Sequence, residues 1–323
     1  MPASWVAAIL FMVGAGLAIW ATERFLDGVV GLAAGLRFSA FAVGAVLSGL
    51  EAENVAVGLA AGGRGTAAVA LGTVFGGTIF VLSVALGVAA LLVPLEIHLP
   101  RGVLVLFAVS PLLAGLALLG TSTPRWAGAL LLLAFAGAMC YLVWVSRLHQ
   151  FLRSSEVREV REVAEAQERL AARRRPLWQA FALALGSLVV LGLGGELVAT
   201  GAEQLIATFG VPAFVMGMVV TPAAIELEEV ARQAIPSRRG RHDVSAGNLV
   251  GTTLYFVLLN LGLIALLTPV HVDRQVVRLD WPVLLLVTWL VTLLLWRGRV
   301  GRPAGVVLLL IYAAYVVGQV IVR

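Results

Sequence analysis

The sequence predicts an all-α polytopic membrane protein: ten transmembrane helices arranged as two inverted-topology repeats of five. Three observations carry this expectation. First, the chain of 323 residues is 60% hydrophobic and 13% charged, with a mean hydropathy of +0.99, a balance that water-soluble globular domains do not keep. Second, apolar runs long enough to cross a hydrocarbon core of about 30 Å recur along nearly the whole length. Third, two blocks of sequence recur at a near-constant offset on either side of one charged segment.

Breaks at glycine, proline and charge clusters divide the chain into candidate helices at 5–35, 37–62, 66–94, 101–120, 125–149, 177–208, 211–235, 243–268, 281–296 and 303–321. The opening stretch MPASWVAAILFMVGAGLAIW has no basic n-region, and its apolar pattern runs past any plausible cleavage point, so it reads as a retained first span. Between the fifth and sixth segments lies RLHQFLRSSEVREVREVAEAQERLAARRRP, in which glutamates and arginines mix at helical spacing. Such a segment reads as a solvated helical linker. The division is therefore a first five-helix repeat at 1–146, a charged linker at 147–176 and a second five-helix repeat at 177–323.

All 23 basic residues are arginine. On an alternating ten-span path, Arg37, Arg101, the arginines from Arg147 to Arg175, Arg232, Arg238, Arg239, Arg241, Arg297, Arg299 and Arg302 share one side. Arg64, Arg125, Arg274, Arg278 and Arg323 fall on the other, with Arg24 inside the first span. Cytoplasmic loops are the basic ones, so the linker is expected in the cytoplasm and both termini outside, in a membrane of the prokaryotic cytoplasmic type. The net charge of +5 thus reports orientation. Without aromatic interleaving it does not point to nucleic acid. Cys140 is the only cysteine, which excludes an internal disulfide and makes a cysteine metal site a poor reading. His98, His149, His242 and His271 fall at or near segment ends, as interfacial residues do.

The repeat locates the chemistry. LEAENVA at 50–56 matches IELEEVA at 225–231, setting Glu51 over Glu226, Glu53 over Glu228 and Asn54 over Glu229, each pair 175 residues apart. The same offset carries GTVFGGTIF at 72–80 onto GNLVGTTLY at 247–255, and Gly87 onto Gly262. Upstream, residues 23–44 match 196–217 at an offset of 173. Because each unit has five spans, equivalent helices enter the membrane in opposite directions, and transporters built this way hold their substrate near the midplane between matching helices. The two acidic motifs would then face each other across the pseudo-twofold axis.

A carboxylate at membrane depth costs several kcal/mol unless it is protonated, paired, hydrated or bound to a cation. On a helix, positions 51 and 54 share a face, as do 226 and 229, while Glu53 and Glu228 point elsewhere. The shared faces offer carboxylates and an amide, the hard oxygen ligands that Ca²⁺ takes. Thr73, Thr78, Asn248, Thr252 and Thr253 stand among small residues in the partner motifs and are candidate weaker ligands. Ser48 and Thr221, the latter followed by Pro222, precede the acidic motifs and are candidate break points that would expose carbonyl oxygens. The competing reading, static pairing with arginine, has force for Glu228 and Glu229, since Arg232 follows one turn later. It has little for Glu51 and Glu53, whose nearest following arginine is Arg64. In the first span of each half, Glu23, Asp27 and Glu196 are also acidic, and Arg24 is available to neutralise one of them.

The acidic motif followed by GNLVGTTLYF, with GTVFGGTIF as a looser copy and the approach LIATFGVPAFVMGMVV, resembles the cation/Ca²⁺ exchanger superfamily, the sodium/calcium exchanger membrane region in particular. That family has two inverted five-span repeats, each with a glutamate in its second span and a GNxxGSNIF-like signature in its third. Its GTSxPE motif is replaced here by AVLSGLEAEN and VVTPAAIELEE. Matched to the family, Glu229 takes the ion-binding glutamate's position in the second half. In the first half, Asn54 is selected by the downstream count, and Glu51 and Glu53 remain alternatives.

The resemblance implies a secondary antiporter, not an enzyme. It would exchange Ca²⁺ or a related cation for Na⁺ or H⁺ by alternating access, with the lipid bilayer and inorganic cations as partners and no cofactor. A second reading starts from EEVAR at 228–232, which resembles the acid and arginine pattern of membrane-embedded CAAX-type proteases, but none of the four histidines falls deep in a span to hold a catalytic metal. A passive cation channel is the third reading, distinguished by conduction without a counter-ion.

Overall fold

The computed structural model describes residues 3–35, 51–97, 99–148, 177–238 and 242–321. In chain order the helices are α1 (Ala3–Gly35), α2 (Ala52–Gly63), α3 (Ala67–Leu92), α4 (Arg101–Leu118), α5 (Arg125–Leu148), α6 (Leu177–Phe209), α7 (Ala213–Ile225), α8 (Leu227–Arg238), α9 (His242–Leu254, running on through Leu261–Leu267), α10 (Val276–Trp296) and α11 (Arg302–Ile321). Among the described residues eight helices are long and apolar enough to cross a membrane, and they correspond to eight of the ten expected segments. The other two expected segments carry the acidic motifs. Of the first of these, residues 37–50 lie outside the described residues, as do Ser48 and the linker from residue 149 to 176. The second is cut in two at Glu226, which separates α7 from α8.

The cut has a local cause. Pro222 has no N–H to give the carbonyl of Met218, four residues back. A π-helical turn, Met216–Val220, leads into it, and the Thr221 hydroxyl donates to the Met216 carbonyl at 2.9 Å. Glu226 then adopts φ −86°, ψ 4°, with its N–H on the Pro222 carbonyl at 2.7 Å, and α8 starts at the next residue. The break therefore falls at the glutamate itself, four residues beyond the proline.

Two helices form the centre. In α3 and α9, 83% of the most apolar window is buried, against 22–44% in the other six spans. Both contain a π-helical segment, Val81–Ala85 and Tyr255–Asn260, at positions matched by the sequence repeat. Around them, α11 packs on the end of α3, α5 on the end of α9, and α10 against α4. Exposed Trp5, Trp20, Trp126, Trp144, Trp178, Trp289 and Trp296 decorate the outer helices, the residue type enriched at membrane–water interfaces.

The long helices α1 and α6, 33 residues each, lie side by side. Gly14 meets Gly194 and Val198, Gly28 meets Ala184, and Gly201 meets Phe11, so the two run antiparallel. Glycine lets their backbones approach closely, as small residues do at helix contacts in membranes. Gly72 of α3 and Gly217 of the α7 segment form a second such contact: a Cβ on Gly72 would overlap the Gly217 carbonyl, and one on Gly217 the carbonyl of Ala68.

Short backbone pairings join the loops at two places. Leu95 and Glu96 pair antiparallel with Val300 and Arg299, joining the loop after α3 to the loop after α10. Ser122 bridges His271, with Thr123 N–H on the Val270 carbonyl and Val272 N–H on that of Thr121, both at 2.9 Å, joining the loop after α4 to the loop after α9. These small ladders are the described strand content of an otherwise helical chain.

The structure corrects one boundary. The expected ninth helix, 281–296, begins at Val276, with a π-helical turn Val276–Asp280 ahead of Trp281. Proline is favoured in a first helical turn, so Pro282 reads as a start in sequence. Arg278, expected in a loop, consequently lies within the helix.

Gly217→Val is expected to push α3 and α7 apart and lower stability by about 1–3 kcal/mol, the usual cost of overpacking. Thermal unfolding in detergent checks it, with Gly16→Ala as the control, because nothing lies within 4 Å of a Cβ at Gly16.

Candidate cation site

The matched glutamates occupy matched places. Glu51 directly precedes α2 and Glu226 directly precedes α8, two helices of 12 residues each. Asn54 and Glu229 are the third residues of those helices. A helix N-terminus carries unpaired N–H groups and partial positive charge, which favours a nearby carboxylate by roughly 0.3–1 kcal/mol. The interrupted helix thus lets an acid sit inside the protein at a helix start instead of on a helix flank.

Four glutamates, Glu51, Glu53, Glu226 and Glu229, are buried to 1% exposure or less, and Asn54 to 0%. Three of the four sit in a set of contacts between the halves. Asn54 Nδ2 donates to Glu226 Oε1 at 2.6 Å. Arg232 NH1 donates to Glu51 Oε1 at 3.1 Å and to Glu229 Oε1 at 2.8 Å, so one nitrogen joins an acid from each half. Asn248 Nδ2 donates to Glu229 Oε2 at 2.8 Å, bringing in the GNLVGTTLY motif. Two oxygens stay over: Asn54 Oδ1 and Glu226 Oε2 are buried with no hydrogen-bond partner among the described residues. Gly77 of α3 adjoins Glu226, since a Cβ there would lie 3.7 Å from its Oε1.

Glu53, the second residue of α2, accepts from the Thr22 hydroxyl of α1 at 2.6 Å. The side chain of Glu228 lies outside the described residues. The threonines behave differently from Asn248. Thr73, Thr78, Thr221 and Thr253 donate to carbonyls of their own segments, those of Ala70, Val74, Met216 and Leu249. Thr252 Oγ1 is buried without a partner among the described residues. Also among the described residues, no three acidic, histidine or cysteine side chains converge closely enough to hold one metal ion. The acids are instead held by the arginine and the two amides.

Sequence reasoning missed three features. Arg232 was legible only as a partner for acids on its own helix, whereas it also reaches Glu51, 181 residues away. Thr22 gave no sign of holding Glu53. The third is Asp280, fully buried on α10, where Tyr315 OH donates to Oδ1 at 2.8 Å and Gln319 Nε2 donates to the same oxygen. Its place before Trp281–Pro282 reads as an ordinary helix start. Of the acids in the first span of each half, Asp27 pairs with Arg24 at 3.5 Å, and Glu196 pairs with Arg64, which also holds Glu203 at 3.1 Å. These pairs are solvent-reachable and contribute little to stability. His242 and His271 stand apart: His242 Nδ1 accepts from Glu96 N–H at 2.8 Å, and His271 is in the loop bridge.

Apolar helices packed around buried carboxylates at the starts of interrupted helices define a class, integral membrane proteins that hold acids where lipid alone would not. The comparisons narrow it. The family model described as sodium/calcium exchanger protein matches residues 6–144 and 179–321, and the chain belongs to that family. It is 30% identical over 241 residues to the inner membrane protein YrbG of Escherichia coli (strain K12), covering 73% of this chain and 72% of the relative. It is 27% identical over 319 residues to the putative antiporter CaxA of Alkalimonas amylolytica, covering 96% and 97%. Among solved structures, the fold is similar to the H⁺/Ca²⁺ exchanger CAX, with a TM-score of 0.68 and 14% identity over 97% of this chain and 86% of that one. It is also similar to the sodium-calcium exchanger NCX_Mj, with a TM-score of 0.55 and 17% identity over 98% of both chains.

Thr22→Val removes the donor that Glu53 has on α1, and a buried acceptor left without its partner costs about 1–3 kcal/mol. Thermal unfolding is expected to drop accordingly, and the loss to shrink when Glu53→Gln is present as well.

Proposed function

We propose that the protein is a secondary antiporter that exchanges Ca²⁺, or a related cation, for Na⁺ or H⁺ by alternating access at a site formed by Glu51, Asn54, Glu226 and Glu229, with Asn248 at its edge. The observation that carries this reading is the Asn54–Glu226 contact between the halves, with an oxygen on each residue buried and unpartnered. A buried carboxylate oxygen and a buried amide oxygen on two residues in contact are hard ligands that a cation would complete. The threonines contribute at most their hydroxyl lone pairs, and Thr252 is the one whose hydroxyl is unspent. Glu53 and Glu228 are further acids of the same motifs, and Ser48 lies outside the described residues. The family and the named functions of CaxA, CAX and NCX_Mj lend support.

Exchange follows from the charge. A site of several carboxylates that released one cation into water would be expensive to close again in a low-dielectric interior. Loading a second cation, Na⁺ or H⁺, removes that cost and permits the return. The site itself needs no cofactor and performs no covalent chemistry.

The same reading includes ten spans in two inverted five-helix repeats, 1–146 and 177–323, joined by the linker 147–176. It is supported by the antiparallel course of α1 and α6, the first helices of the two units. The paired π-helical segments and the contacts of α11 with α3 and α5 with α9 have the form that a twofold exchange of halves would produce. So do the loop ladders, one after α3 and α10, the other after α4 and α9. The arginine distribution gives a cytoplasmic linker and external termini.

Liposomes holding the purified protein are expected to accumulate Ca²⁺ under an outward Na⁺ or H⁺ gradient. Glu226→Gln and Glu229→Gln should each reduce this to the protein-free background. No uptake under either gradient by correctly folded protein would defeat the proposal. Trypsin should cut within 147–176 in inside-out vesicles and spare it in right-side-out ones.

A further inference from the structure

Arg232 has no counterpart in the first half. The repeat sets it over Val57, a fully buried apolar residue of α2, while the two acids it contacts, Glu51 and Glu229, are matched by Glu226 and Asn54. A residue added to one copy only is not required by the twofold build of the site.

Its placement is specific. NH1 lies 3.1 Å from Glu51 Oε1 and 2.8 Å from Glu229 Oε1, on carboxylates from different halves that are 1% and 0% exposed. A cation bridging those two oxygens at the 2.3–2.6 Å typical of Ca²⁺ would need about the same position. Guanidinium and ion therefore exclude one another. Both are cations that satisfy carboxylate oxygens, and charge-assisted bonds of this kind are roughly twice as strong as neutral ones. The side chain is 35% exposed although Glu51 and Glu229 are buried, so it enters the acidic set from an open side. Its backbone, one turn after Glu229 on α8, stays in place.

We propose that Arg232 is a tethered counter-cation: it occupies the Glu51–Glu229 pair when the transported ion is absent and must be displaced when that ion binds, which lowers the affinity of the site and sets which ions can enter. This rests on the antiporter reading above and deepens it. Both copies place oxygen ligands at these positions, acids or the Asn54 amide, and the arginine found in one copy makes the ion compete. A weakly attractive cation fails to displace the guanidinium, whereas a divalent ion brings two charges where the guanidinium brings one. Selectivity thus comes from the competitor as much as from the ligands.

The experiment compares Ca²⁺ binding to purified wild type, Arg232→Gln, Arg232→Ala and Arg232→Lys by titration calorimetry, with liposome exchange alongside. Removing the charge is expected to tighten Ca²⁺ binding by about tenfold or more, in the range of ordinary coupling between two ligands, while Arg232→Lys stays near wild type. Guanidinium chloride should weaken Ca²⁺ binding to Arg232→Ala beyond a matched choline chloride control and leave wild type at the control value. On the wild-type protein, saturating Ca²⁺ should speed modification of Arg232 by phenylglyoxal, read by peptide mass spectrometry, because displacement takes the guanidinium off the Glu51 and Glu229 carboxylates. That measurement stands even if the neutral variants do not fold. Unchanged or weaker Ca²⁺ binding by a folded neutral variant, or slower or unaltered modification of Arg232 on adding Ca²⁺, overturns the tethered cation and leaves the antiporter standing. A wild type that neither binds nor exchanges Ca²⁺ removes both.

Discussion

The structure is governed by the need to keep carboxylates in a place that water does not reach. Four buried glutamates in a chain this apolar represent many kcal/mol of lost hydration if each were left alone. Each is met by a specific donor: Glu51 and Glu229 by Arg232, Glu229 again by Asn248, Glu226 by Asn54, and Glu53 by Thr22. Those donors come from α1, α2, α8 and α9, so helices far apart in sequence are tied together by acids that none of them could hold singly. The fold and the site are in this sense one problem, solved with the same side chains.

The interruption at Glu226 is part of that solution. An unbroken helix would present the glutamate on its flank, with its own backbone amides already used. Ending α7 at Ile225 and starting α8 at Leu227 puts the acid where a helix begins, at the positive end of the α8 dipole. Glu51 holds the equivalent place before α2. Pro222, the π-helical turn ahead of it and the glycine contact between Gly72 and Gly217 all serve this geometry, since the broken segment must pack closely against α3.

Much of this was readable in advance because it was written twice. The offset of 175 pairs Glu51 with Glu226 and Asn54 with Glu229, and the structure brings Asn54 onto Glu226. The apolar runs mark eight span-length helices to within a few residues, apart from the early start of α10. What stayed hidden was whatever depends on contact between distant segments. Arg232 lies three residues from Glu229 and therefore looks like a local partner, yet its second acid comes from the opposite half. Asp280 looks like a helix cap, although Tyr315 and Gln319 bury it. Thr73, Thr78 and Thr253 resemble ligands by position, but their hydroxyls are claimed by carbonyls one turn back, an option open to any threonine in a helix.

Val57 opposite Arg232 gives the molecule a polarity that its duplicated architecture would otherwise lack. Two interchangeable halves would make the opposed orientations of the machine mirror one another in energy, leaving gradients alone to decide its resting posture. Arg232 over Val57, together with Glu229 over Asn54, removes that degeneracy, so the protein resembles a sprung valve more than a balanced seesaw.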